Sequence, residues 1–137
     1  PNSVADECVF QADIRFADKE QYREAVKLCE TVAEASMVPG CTCRLEKVSE
    51  RPAMPLTEKN EALFSKMNEI YEKCGLPVLT PRHSLGGSDA AYTTQAGIPT
   101  VDSLGVDGGK IHSPQEFAYI RSLVDCVRRL VAIALYI

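Results

Sequence analysis

The stretch LGGSDAAYTTQAGIPTVDSLGVDGGKIHSPQEF, Leu85 to Phe117, decides how this chain is read. It sets Gly86-Gly87 before Ser88-Asp89, and one of only two histidines, His112, before Ser113-Pro114. Two glycines ahead of a serine predict a tight turn, with Ser88 capping a short helix that Gly97 ends. The same turn can aim backbone N–H groups at an anion. Turn chemistry and ligand chemistry therefore both stand at this point. The apolar-rich IPTVDSL predicts a strand and GVDGG a loop. Ser113-Pro114-Gln115-Glu116 then reads as a helix start, with a cap, a proline at the first helical position and a glutamate three residues after the cap. The expected apolar face of that last helix is Phe117, Ile120, Val124, Val127, Leu130, Val131 and Leu135. His112 would be fixed on both sides yet outside a helix ladder, which suits a metal ligand or a general base. An exposed loop histidine is the plain alternative.

Upstream, ECVFQADIRF alternates. Cys8, Phe10, Ala12, Ile14 and Phe16 share one face of an expected strand, and Arg15 lies on the polar face. A solvated arginine is the ordinary reading there; a fork for a carboxylate is the sharper one. Asp18 and Gln21 form a capping-box pattern. Tyr22, Ala25, Val26, Cys29, Val32 and Ala33 then recur at helical spacing until Pro39-Gly40 stops the helix. CTCRLEKV predicts a second strand with Cys41, Cys43 and Leu45 on one side. The Pro-rich SERPAMPL, residues 49–56, marks the expected boundary between a domain at 1–50 and another at 53–137. Thr57 is placed to cap a helix carrying Ala62, Leu63, Met67, Ile70 and Tyr71, closed by Gly75. A short strand is expected near Val78.

The chain has 137 residues and a net charge of −4 (15 basic against 19 acidic side chains). That balance disfavours nucleic acid or an anionic membrane as the main partner. No apolar run approaches the roughly 20 residues that span a bilayer. The six cysteines show no CxxC spacing, and most fall in the apolar phase of periodic segments. There a free thiol packs as a small hydrophobe, so a reducing cytoplasm is expected. Cys41 and Cys43 leave a minor metal alternative, without a neighbouring histidine. A zinc site takes about four N, O or S ligands. Neither His83 nor His112 has patterned company: there is no HxxxH, no HxD and no Glu-Glu pair.

Taken together, GGSDAAYTTQAGIPTVDSLG followed by HSPQE, and PNSVADECVFQADIRF, resemble the C-terminal part of the dinuclear-zinc aminoacylase/carboxypeptidase family. Glutamate carboxypeptidases, acetylornithine deacetylase and succinyl-diaminopimelate desuccinylase belong to that family. The resemblance covers the whole chain in order and implies an α/β architecture. Residues 1–50 would be the second half of a lid that mediates dimerisation, entered from a linker motif of which only Pro1 remains. Residues 53–137 would be the return into the catalytic domain. It implies that His112 is a zinc ligand, that Arg15 holds a substrate carboxylate, and that Gly86, Gly87 and Ser88 line the substrate pocket. Two zincs per site are implied for the intact enzyme, with an activated water, a glutamate base and a small peptide or N-acyl amino acid as substrate. The family's remaining ligands and its glutamate base have no counterpart in these residues. The chain is thus expected to be an inactive fragment that holds zinc weakly or not at all. A non-catalytic dimerisation or small-ligand binding module is the alternative.

Overall fold

The computed structural model describes residues 2–84 and 86–137; Pro1, and with it the linker reading, lies outside them. Six elements follow in chain order: α1 (Lys19–Glu34), α2 (Glu58–Lys73), α3 (Ala90–Gln95), β1 (Gly108–Gly109), β2 (Phe117–Ala118) and α4 (Ile120–Tyr136). The architecture is mixed α/β. The chain forms two compact units, Pro1–Glu50 and Arg51–Ile137.

In the first unit α1 starts where local chemistry directs it. Asp18 Oδ1 accepts the Glu20 and Gln21 N–H groups at 2.9 and 2.8 Å, and Gln21 Oε1 accepts the Ala17 N–H at 2.9 Å. Tyr22, Ala25, Val26, Cys29 and Ala33 of the expected face are half-buried, while Val32 is exposed and the helix ends at Glu34, ahead of the expected stop at Pro39-Gly40; the Phe16 and Tyr22 rings pack 4.9 Å apart. The Tyr22 hydroxyl donates to Glu50 Oε2 at 2.8 Å, and Lys47 Nζ donates to the same oxygen at 2.6 Å. Lys47 holds the Glu50 carboxyl below its usual range, chiefly by that hydrogen bond.

The strands expected at residues 7–16 and 41–48 do not form: neither segment enters a ladder among the described residues. Phe10 is 82% exposed, and Cys8, Cys41 and Cys43 are exposed too. A helix satisfies its own backbone groups, whereas a strand needs a neighbour to take its N–H and C=O groups. Alternation alone cannot supply that neighbour. The expectation that most cysteines pack inside is corrected with it: only Cys126 is buried.

The second unit is built on α2 and α4. Thr57 Oγ1 accepts the Asn60 N–H at 3.2 Å, capping α2 as expected. Gly75, at φ 66°, ends it: the Leu76 N–H reaches the Tyr71 carbonyl and the Gly75 N–H the Glu72 carbonyl, the paired bonds of a left-handed C-terminal cap. Met67, Ile70 and Tyr71 are buried on the side that faces α4. The strand expected near Val78 is replaced by a side-chain clamp. Asn68 bonds both the N–H and the C=O of Leu79, each at 2.9 Å, and Arg129 Nε donates to the Pro77 carbonyl at 3.2 Å.

The segment 98–104, expected as a strand, also stays outside any ladder. Asn60, only 6% exposed, is what holds it. Its Oδ1 accepts the Thr100 N–H at 3.0 Å while its Nδ2 donates to Thr94 Oγ1 at 3.3 Å and to the Pro55 carbonyl at 3.4 Å. One amide thus joins α2, α3 and the residues after it.

The largest correction concerns α4. It begins at Ile120, not after Ser113. The residues buried along it are Ser122, Cys126 and Ala132, while Ile120, Leu123, Val124, Val127, Leu130, Val131 and Leu135 are half or more exposed. The large aliphatic face is real in sequence, but within this chain the small-residue face is the buried one: Ser122 and Cys126 bond Asp107 and Gly105, and the helix also contacts α2.

Candidate functional site

His112 sits on a loop whose base is closed by three kinds of contact. The antiparallel bridge pairs Gly108 with Ala118 and Gly109 with Phe117. The Tyr119 N–H donates to the Asp107 carbonyl at 2.8 Å. The buried Ser122 hydroxyl accepts the Asp107 N–H at 2.9 Å and donates to the Tyr119 carbonyl at 2.7 Å, tying the loop to the first turn of α4. Cys126 Sγ adds a bond to the Gly105 carbonyl. Gly108 is needed for this closure, because a Cβ there would fall 2.2 Å from the Phe117 carbonyl oxygen; a Cβ on Gly109 would press on the Phe117 ring at about 3.0 Å, which a small shift of that side chain relieves.

The loop itself uses the helix-start signature differently from expectation. Ser113 Oγ accepts the Gln115 N–H at 3.2 Å, and the Glu116 N–H reaches the Ser113 carbonyl at 3.0 Å, as a capping turn should. Yet the chain does not continue as a helix, because Phe117-Ala118 turns out to pair with Gly108-Gly109. His112 stands exposed before this turn, at φ 63°, and Lys110 has φ 54°. Non-glycine residues rarely adopt that left-handed backbone.

Gly86, Gly87 and Ser88 form the turn before α3. The Gly86 N–H is already bonded to Ser84 Oγ at 3.1 Å, so it is not free for an anion as it stands. Ser88 Oγ accepts the Ala90 N–H at 3.1 Å, the capping role expected of it, although the helix boundary falls one residue later at Asp89. Sequence reasoning missed a neighbour of this turn. The Arg51 side chain packs on Gly87, where an added Cβ would meet its Cδ at 3.3 Å, and its guanidinium lies 3.6 Å from the Asp89 carboxylate. Its place near the start of a Pro-rich connection carried no signal.

Arg15 lies in the first unit. Its Nε pairs with Asp13 at 3.1 Å, and its side chain is 60% exposed. The two terminal nitrogens of its fork make no hydrogen bond among the described residues. Cys41 and Cys43 line an open, mostly apolar cavity of about 300 Å³ with Val32, Ala35, Met37 and Val38. None of His112, Arg15 or Gly86–Ser88 lines it.

The donor set is a partial fit to zinc. An exposed imidazole on a braced loop is an ordinary single ligand. Among the described residues, however, no three His, Cys, Asp or Glu side chains converge on one point. His112 fits as one member of a metal site, not as the site. No helix is long and apolar enough to cross a membrane.

A family model described as Peptidase family M20/M25/M40 matches residues 5–136. Carboxypeptidase G2 from Pseudomonas sp. (strain RS-16) is 30% identical over 112 residues, covering 82% of this chain and 27% of that protein. The chain thus spans about a quarter of the length of that curated relative. No solved structure matches it.

Proposed function

Because the chain belongs to peptidase family M20/M25/M40, we propose that it is part of a zinc-dependent hydrolase that removes a C-terminal amino acid or an N-acyl group from a carboxylate-bearing substrate. The observation that supports this reading is the family match over residues 5–136, a span that encloses Arg15, Gly86–Ser88 and His112 together. The likeness to carboxypeptidase G2 favours release of a C-terminal residue.

In this reading His112 contributes one imidazole to the metal site. Zinc, when bound, lowers the pKa of a coordinated water and offsets negative charge at the scissile carbonyl. The chain's own residues bind and orient. The unused fork of Arg15 takes the substrate carboxylate, and the Gly86–Ser88 turn lines the pocket, its two glycines without a Cβ. Arg51, packed on Gly87 and 3.6 Å from the Asp89 carboxylate, sets a cation beside that turn. The general base and the remaining ligands come from outside these residues. The chain alone accordingly turns over no amide and holds zinc weakly. The family likeness supports a homodimer, and six free cysteines support a reducing cytoplasm.

A non-catalytic binding or dimerisation module remains the second reading, favoured by the lack of convergent metal ligands among the described residues. Substitution in the full-length protein separates the two. His112→Ala is expected to abolish hydrolysis with loss of metal. Arg15→Ala is expected to lower kcat/KM on a free-carboxylate substrate by roughly 10- to 100-fold, the loss of a charge-assisted contact of about 1.5–3 kcal/mol. Unchanged activity and metal content in His112→Ala would remove His112 from the metal site, and a full-length protein that hydrolyses no such substrate would remove the hydrolase reading.

A further inference from the structure

We propose that Glu116 is the positioning residue that sets the imidazole of His112. The proposal rests on the reading of His112 as a metal ligand and adds what aims it. The contacts at the base of the loop, Gly108–Ala118, Gly109–Phe117 and Asp107 with Tyr119 and Ser122, all stop short of the tip. At the tip, Ser113 Oγ donates to the Lys110 carbonyl at 2.7 Å, which bridges over His112 without touching it. His112 makes one hydrogen bond among the described residues: its backbone N–H donates to Glu116 Oε2 at 3.4 Å. The bond is long, and the negative charge of the acceptor strengthens it.

That bond matters because of the backbone it restrains. His112 is held at φ 63°, a conformation an L-residue leaves when nothing opposes it. Rotation of φ back to negative values re-aims the Cα–Cβ bond and carries the imidazole across the loop. The ring has no hydrogen bond of its own among the described residues, so its direction is inherited from the backbone. Glu116 is four residues on, returned toward His112 by the Ser113-Pro114 turn. Its carboxylate grips the peptide N–H, not the ring, so it works through His112 and not on substrate. The same arrangement occurs at the start of α1, where Gln21 Oε1 accepts the N–H of Ala17, the residue before the Asp18 cap. There a neutral amide suffices, which indicates that Glu116→Gln should retain the function.

The experiment has a metal-free arm and a metal arm. In the first, amide hydrogen exchange and the HN–Hα coupling of His112 are measured by NMR in the 137-residue chain for wild type, Glu116→Gln and Glu116→Ala. Glu116→Gln is expected to match wild type. Glu116→Ala is expected to exchange the His112 amide roughly two- to tenfold faster, the span of one hydrogen bond's net contribution, with a changed coupling. In the second, zinc affinity of the full-length protein is measured against a chelating dye, with thermal unfolding followed in parallel. Glu116→Ala is expected to weaken zinc binding by a similar factor without lowering the unfolding temperature in proportion, and Glu116→Gln to restore it. Equal exchange and coupling in wild type and Glu116→Ala overturn the tether. A changed amide with unchanged zinc affinity overturns the positioning role, while loss of zinc in His112→Ala keeps the metal-ligand reading. If His112→Ala itself leaves zinc affinity unchanged, the metal-ligand reading falls and the positioning role falls with it.

Discussion

Tyr71 shows how a single group can be legible in sequence and still be placed against its own chemistry. Its position on the apolar face of α2 was expected, and it is fully buried there, with the Arg129 guanidinium 6.0 Å from its ring centre. Its hydroxyl has no hydrogen-bond partner among the described residues. A buried hydroxyl without a partner forfeits its water and gains nothing in return. Tyr71→Phe is therefore expected to leave the stability of the chain unchanged or raise it by about 1 kcal/mol, read as the midpoint of urea unfolding. A loss of that size would show that the hydroxyl has a partner in solution. Burial also pushes the Tyr71 hydroxyl above its ordinary pKa of 10.0, against a smaller opposing effect of Arg129. The folded protein keeps this proton after the unfolded chain has lost it. The stability it represents is whole below about pH 10 and is lost as the pH rises toward the raised folded value. In Tyr71→Phe that part of the alkaline decline should disappear, and an unaltered decline would assign it to other groups.

Between elements, amide side chains do the joining that strands were expected to do. Asn60 binds α2 to Thr94 of α3 and to the Thr100 N–H, and Asn68 clamps Leu79. Removing the Asn60 amide strands the Thr100 N–H and the Thr94 hydroxyl together. Asn60→Ala is expected to cost about 1–3 kcal/mol, seen as a lower denaturation midpoint with an unchanged slope. A cost below a few tenths would mean that water replaces the amide freely. The capping signatures were the most legible features at this scale. Asp18, Thr57, Gly75 and Gly97 do what their residue types foretold, because each acts within one turn of chain. Ser113-x-x-Glu116 delivered its local bonds as well, but the helix it announced was displaced by Phe117-Ala118 pairing with two glycines eight to ten residues back. No signal inside the four residues carries that competition.

At the scale of the whole molecule, the faces left open govern behaviour. Along α4, Ile120, Leu123, Val127 and Leu135 are each more than half exposed, and α1 has no fully buried residue. Apolar area left in water loses about 25 cal/mol per Å² relative to burial, so a second copy or an apolar surface is expected to cover it. The segments 7–16 and 41–48 add backbone groups that no ladder satisfies, which is a further route to pairing between chains. Sedimentation of the 137-residue chain at micromolar concentration should show association, and a compact monomer would rule this out. The sequence by itself determined α1 and α2 with their N-terminal caps, the existence of α4 though not its start, the turn at Gly86–Ser88, the candidacy of His112 and Arg15, and the family likeness that the comparison bears out. These rest on interactions within a few residues or on the order of motifs along the chain. Only the tertiary structure decided which face of α4 is buried, that Arg51 lies against Gly87, and that Glu116 reaches the His112 backbone. It also decided that the alternating segments form no ladder, because a strand's hydrogen bonds and a helix's buried face are chosen by neighbours that periodicity does not name.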